Sequence, residues 1–253
     1  MKLSFSGSKM GYTKYEKSVL IGMFLSKFDK EGLHSLGFKG FIEAYNVLGY
    51  ALDVKPFTLR GYRDEFDTIY PNPRKGWNMR EVRKNRKELV DLHEHLSLEE
   101  FVELINSFLT DKNQDLLLPE KAPKGEAFSK RLITGKSAEN YFENNFHLEG
   151  IFAEMKLENT TMLGCGYDFK LTSPETFFAV EVKGLSGKNG NISLTKREHE
   201  VAELLKEAYI LFIVKNFQEK PFHAVIPNPA FSDQIKFSKV EKRVIQYSFV
   251  ASV

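Results

Sequence analysis

The sequence predicts an α+β protein: a mostly helical N-terminal part, followed by an α/β layered part with a central mixed sheet. Three observations predict it. Apolar residues recur at helical spacing through the first half. Beyond residue 130, helical stretches alternate with short β-rich runs. Between the two, residues 119–130 read PEKAPKGEAFSK, a polar segment with two prolines and a glycine. The expected organisation is therefore a helical domain over 1–118, a linker over 119–130 and an α/β domain over 131–253.

Tyr15–Phe28 places Val19, Leu20, Met23, Phe24 and Phe28 at helical spacing. Phe41–Leu48, Val82–Leu92 and Leu98–Leu109 repeat the pattern, and Ser97 with Glu100 is a capping-box signature opening the last. The helix from Phe41 ends at Gly49, and Pro56 suits the first turn of another. Two helices joined by a short turn predict helix-turn-helix geometry, with Thr58, Arg60 and Arg63 presented by the second. In the second half, Ser137–Phe146 is an amphipathic helix with Ala138, Tyr141, Phe142 and Phe146 on one side. Ile151–Lys156, Tyr167–Leu171 and Phe177–Val182 read as strands, and Thr195–Lys206 as a helix. Tyr209–Val214 is a continuous β-rich run of the kind found in buried central strands. Phe222–Ile226 is a last strand, stopped by Pro227 and Pro229.

Composition excludes several function classes. With 253 residues, 42% of them apolar, the chain can bury a full core. Its 36 basic and 34 acidic side chains leave a net charge of +2, unlike a disordered acidic or basic tail protein. Cys165 is the single cysteine, so an internal disulfide framework and any zinc site needing two thiolates are excluded. The apolar run Ala208–Val214 is too short to span a bilayer, and the N-terminus has no continuous apolar signal region. The expected location is cytoplasmic, with no membrane partner. Gly135-Lys136-Ser137 looks like the end of a phosphate-binding loop, but Lys130 stands where that loop needs glycine. His93 and His95 are two apart on a helix and diverge. Cys165, between two glycines, reads as a small packed residue.

The chemistry-bearing stretch is GCGYDFKLTSPETFFAVEVKG, residues 164–184. Asp168 opens one strand, Glu181-Val182-Lys183 closes the next, and Ser173-Pro174-Glu175 turns between them. Residues two apart on a strand share a face, so Glu181 and Lys183 project together, and a hairpin register brings Asp168 beside them. Two carboxylates bind a hard divalent cation, and the lysine orients a water or stabilises developing negative charge. That is equipment for phosphodiester hydrolysis. The acid-x-Lys pattern alone is common here: Asp53-Val54-Lys55, Glu154-Met155-Lys156 and Asp168-Phe169-Lys170 also fit. Only 181–183 combines an upstream strand acid, an apolar strand leading in and Gly184 leading out.

Gly166-Tyr167-Asp168-Phe169, Val180-Glu181-Val182-Lys183-Gly184, then Ser193-Leu194-Thr195 and Glu198, resembles the NO VEIN C-terminal-like domain of the PD-(D/E)XK nuclease superfamily. The resemblance covers roughly residues 131–226. It implies a restriction-endonuclease-like α/β/α domain using Mg²⁺ or Mn²⁺. By it, Asp168 and Glu181 are metal ligands, joined by the Val182 carbonyl, and Lys183 positions the water. Gly135 ahead of Glu139 fits the front of the pattern and makes Glu139 an accessory catalytic acid, although Glu143 lies one turn away on the same face. Tyr167 stands where the superfamily often has proline.

Arg74 to Lys87 holds seven basic residues against one acid, Glu81, with Trp77 inside the run. Such a patch is the electrostatic footprint of nucleic-acid binding. Candidate DNA contacts are Thr58, Arg60, Arg63, Arg74, Lys75, Trp77, Arg80, Arg83 and Lys84. Lys188, in the polar loop 184–191, and Lys196, opening a helix, are further candidates. The expectation is a Mg²⁺-dependent restriction-type endonuclease acting on duplex DNA as a homodimer, in defence against foreign DNA. Its rivals are a non-catalytic DNA-binding regulator on a degenerate nuclease fold and an RNA-directed nuclease.

Overall fold

The computed structural model describes residues 11–70, 72, 81–109 and 126–241. Six helices come first: α1 (Lys14–Lys27), α2 (Asp29–Ser35), α3 (Phe41–Ala51), α4 (Pro56–Phe66), α5 (Lys84–His93) and α6 (Leu98–Leu109). Then follow α7 (Glu126–Asn145), β1 (Lys156–Asn159), β2 (Phe169–Thr172), β3 (Phe177–Gly184), α8 (Lys196–Leu205), β4 (Tyr209–Lys215) and β5 (Phe222–Pro227). The strands form one mixed sheet in the order β1-β2-β3-β4-β5. β1, β2 and β3 are antiparallel neighbours, β3 and β4 run parallel through the α8 crossover, and β5 returns antiparallel. The α+β class follows directly.

Local signals place most elements. The capping box before α6 is formed, with Ser97 N–H donating to Glu100 Oε2 at 2.8 Å and Glu100 N–H to Ser97 Oγ at 3.2 Å. Thr13 with Glu16 caps α1 in the same way. α1 and α4 cross closely because Gly22 has no side chain: a Cβ there would stand 2.4 Å from Tyr62 Cβ. Three elements depart from expectation. α2 lacks a sequence signal and is a short turn of helix after Asp29. Gly150–Phe152 is a 3-10 turn rather than a strand, and β1 starts only at Lys156. Phe152 enters the core while Ile151 stays exposed, an in-out pair that a 3-10 turn provides as well as a strand does.

The third departure is α7, which begins at Glu126. The end of the expected linker, residues 126–130, is therefore helical. Ser137 suggests a helix start, yet it lies mid-helix and fully buried. Its hydroxyl bonds the Ile133 carbonyl one turn back and the Val47 carbonyl of α3, both at 2.6 Å. α7 thus lies between the helical half and the sheet. Asn140 Nδ2 donates to the Tyr50 carbonyl at 2.9 Å, and Asn46 of α3 reaches the Phe217 carbonyl beyond β4 at 2.7 Å. On the sheet side, Phe142 packs at 4.9 Å ring separation on both Phe169 and Phe212. One continuous apolar core runs from α1 to β4.

Gly184 sets how closely α7 approaches β3. A Cβ at 184 would lie 2.8 Å from the Thr134 carbonyl oxygen and 3.1 Å from Ala138 Cβ. Gly184→Ala is expected to lower the free energy of unfolding by about 1–3 kcal/mol through this overpacking. Urea titration measures it, and an unchanged midpoint would show that α7 is not seated there.

Candidate active site and nucleic-acid surface

The site lies where the β2 ladder ends. β2 pairs with β3 through Phe169 opposite Val180. One residue earlier, Asp168 donates its N–H to the Val180 carbonyl at 3.0 Å, and its Oδ2 accepts from the Val182 N–H at 2.9 Å. The carboxylate is thereby clamped in line with the sheet. Glu181 and Lys183 share one face of β3. Lys183 Nζ donates to Glu181 Oε1, and to Glu198 Oε2 of α8 at 3.0 Å. The same Glu198 oxygen accepts from the Thr195 N–H at 2.8 Å, closing the α8 capping box. Gly166 lets the loop before Asp168 lie against α8: its φ is +94°, and a Cβ would meet Val201 Cγ2 at 2.9 Å. Tyr209 OH holds that loop from β4, donating to the Gly166 carbonyl at 3.0 Å.

α7 packs on the opposite face of the sheet and supplies Glu139. Burial and the charge of Asp168 push the Glu139 carboxyl up to about 7, against the pull of Lys136, whose Nζ is 3.5 Å away. Glu143, the rival on the same helix, instead accepts from Asn159 Nδ2 at 2.9 Å, toward the end of β1. The structure therefore brings Asp168, Glu181, Lys183 and Glu139 together, with Glu198 added. Burial pushes Asp168 up to about 6 despite the Val182 N–H and Lys183. Glu181, 2% exposed, is pushed up to about 9 by burial and then by the Asp168 charge. Burial alone would lower Lys183, but Glu181 and Glu198 outweigh it and hold the ammonium above its usual range.

The donor set fits a hard divalent ion. In an extended strand the N–H and C=O of one residue leave on the same edge. The Val182 carbonyl therefore faces the side from which its N–H meets Asp168. Asp168, the second oxygen of Glu181 and this carbonyl are hard oxygen donors, and the burial that raises both carboxyl pKa values, with the Asp168 charge adding to it at Glu181, would be relieved by a cation. Among the described residues no three histidine, cysteine, aspartate or glutamate side chains stand at complete metal-shell spacing. A bound Mg²⁺ would therefore keep several waters.

The expected DNA contacts are distributed unevenly. Arg63 is not one of them: it is 6% exposed and holds the helices together. Its guanidinium donates to the Leu25 carbonyl, Tyr45 OH and Asp29, and lies 3.4 Å over the Phe41 ring. Thr58 is half-buried, and Arg60 is exposed beside Asp64 at 3.7 Å. Arg83 and Lys84 are exposed at the start of α5. Within the basic run, Arg86 is buried against Glu65 and over Tyr62. Arg74, Lys75, Trp77 and Arg80 lie outside the described residues. Lys188 pairs with Glu219 at 3.0 Å and Lys196 with Glu200 at 3.5 Å. Sequence reasoning missed the Glu198–Lys183 bond and the place of Lys136. A capping glutamate three residues after Thr195, and a lysine one turn before Glu139, were the available signals. Cys165 is partly buried, its thiol directed to the Tyr167 carbonyl at 3.5 Å.

Residues 136–226 match the family described as Protein NO VEIN, C-terminal, a span holding every member of the acidic cluster. No curated protein and no solved structure matches the chain. No helix among the described residues is long and apolar enough to cross a membrane.

Asp168, Glu181 and Glu139 all have carboxyls raised by folding, so the folded chain retains protons that the unfolded chain has lost. Without divalent ions, these groups make stability fall as pH rises from about 4 to about 9. Glu139→Gln is expected to be more stable than the parent at pH 8 by about 1–3 kcal/mol, with the gap closing toward pH 4. Urea titrations across this range measure the gap, and a pH-independent difference would contradict the shift.

Proposed function

We propose, taking the NO VEIN C-terminal domain at residues 136–226 as the premise, that this chain is a metal-dependent endonuclease acting on duplex DNA. The observation that carries the reading is the convergence of Asp168, Glu181 and Lys183 at the open end of the β2–β3 hairpin. Asp168, Glu181 and the Val182 carbonyl are the residues that would hold Mg²⁺ or Mn²⁺. The ion supplies polarisation of the phosphoryl group and a more acidic water. Lys183 donates toward the attacking water or the phosphoryl oxygens, its Nζ fixed by Glu181 and Glu198 so that little reorganisation accompanies the reaction. Glu139 holds a proton near neutrality beside Asp168 and acts as an accessory acid.

The basic run 74–87, with Arg83 and Lys84 exposed at its described end, supports duplex binding by the helical half. One site per chain cuts one strand, so double-strand scission calls for a homodimer. Restriction of foreign DNA is the setting that such a pairing of binding and cleavage suits.

Incubation of methylated and unmethylated plasmid with the protein, with and without Mg²⁺, tests the reading, with structured RNA run alongside. Metal-dependent nicking or linearisation of the plasmid is expected. Lys183→Ala should slow it by about 10²–10³-fold and Glu181→Ala at least as much, with duplex binding retained. Undiminished cutting by both variants would remove the site from the reaction. Cleavage confined to RNA would replace the substrate, and binding without metal-stimulated nicking would favour a regulator.

A further inference from the structure

The acidic cluster is an unwelcoming place for a polyanion, and the lysine at its centre is already committed. Lys183 has two of its three N–H groups on Glu181 and Glu198. A phosphodiester approaching Asp168 must therefore meet other cations. Lys196 and Lys188 are directed to Glu200 and Glu219, glutamates outside the cluster.

Among the described residues, two cations beside the site remain. Arg197 sits in the first turn of α8, is exposed, and has no carboxylate partner among the described residues. Its stem lies against the loop that delivers Asp168: a Cβ on Gly166 would stand 3.3 Å from Arg197 Cγ and 3.2 Å from its carbonyl oxygen. The missing side chain at 166 is what lets that arginine lie over the loop. On the other face of the sheet, Lys136 of α7 has a side chain 30% exposed, with Glu139 at 3.5 Å as its ion-pair partner. Thr134 and Ala138, on either side of Lys136 in α7, abut Gly184 next to Lys183 at the end of β3.

We infer that Lys136 and Arg197 are the phosphate anchors of this site, straddling Asp168 from α7 and α8 and holding phosphodiester oxygens on either side of the bond to be cut. The inference rests on the nuclease reading for its substrate, and on the geometry of the two side chains for its residues. The guanidinium presents paired N–H donors to one phosphate, while the ammonium acts as a point charge on the next. Neither is a ligand of the metal. Arg197 touches no other member of the site, so its loss appears in KM and salt dependence rather than in the chemical step, whereas loss of Lys136, which also bonds Glu139, is read from the salt dependence.

The test measures binding of a 30-base-pair duplex across a series of salt concentrations, with Ca²⁺ in place of Mg²⁺, and plasmid nicking in Mg²⁺. The chains compared are the parent, Lys136→Gln, Arg197→Gln, the double variant and Lys156→Gln. Lys156, at the far end of β1, serves as a control for loss of one charge. Each anchor removed is expected to reduce the slope of log K against log salt by about 0.9, and the double variant by about twice that. In Arg197→Gln KM should rise with kcat nearly unchanged, and Arg197→Lys should recover most of the slope. Parental slopes and KM in both single variants, from a parent that binds and cuts, overturn the anchors and leave the nuclease reading intact. A parent that binds but never cuts overturns the nuclease reading, and the slopes still decide the anchors. A parent that does not bind duplex overturns both.

Discussion

A half-buried ammonium allows the acidic corner to exist. Asp168, Glu181 and Glu139 are removed from most of their water, and each raises the cost of ionising another. Lys183 is the charge that offsets this, and it is held from two directions, by its own strand through Glu181 and by α8 through Glu198. The bond to Glu198 does more than neutralise. The same carboxylate caps α8, so the orientation of the crossover helix, the loop resting on it at Gly166 and the position of Asp168 are mechanically linked. Charge left uncompensated by the lysine is what the proposed divalent ion would neutralise.

α7 gives the helical half a share in that corner. Its buried Ser137 and Asn140 are bonded to backbone carbonyls of α3, while Ala138 and Phe142 pack on the sheet. Glu139 lies between those anchors in sequence and Lys136 directly precedes them. A shift of α3 would therefore move two residues of the site. With the apolar core continuous across both halves, the N-terminal helices and the acidic cluster are connected by packing as well as by the chain.

Basic residues in this protein divide into structural and available ones, and burial decides which. Arg63 and Arg86 are drawn inside because a guanidinium can satisfy several acceptors and cover an aromatic ring at once. Lys188 and Lys196 remain outside but meet glutamates across a loop or one helical turn. Arg60, Arg83, Lys84 and Arg197 stay on the surface. A run of basic letters therefore overstates the charge available to a nucleic acid.

The helices with complete apolar stripes and caps, the β2–β3 hairpin, the buried run of β4 and the pairing of Asp168 with Glu181 and Lys183 were all legible in the sequence. Each depends on spacing along one or two adjacent elements, where a period of 3.6 or 2 determines which side chains share a face. What spacing could not determine was anything decided by partners distant in the chain. Ser137 reads as a helix start until the Val47 carbonyl is beside it. Arg63 reads as a surface cation until Tyr45, Asp29 and Phe41 surround it. Glu139 and Glu143 are equivalent on the helix until Asn159 takes one and Asp168 faces the other. Glu198 looks like a cap alone until β3 delivers Lys183. In each case the role belongs to the group across the contact, and only the folded chain brings that group within hydrogen-bonding or electrostatic reach.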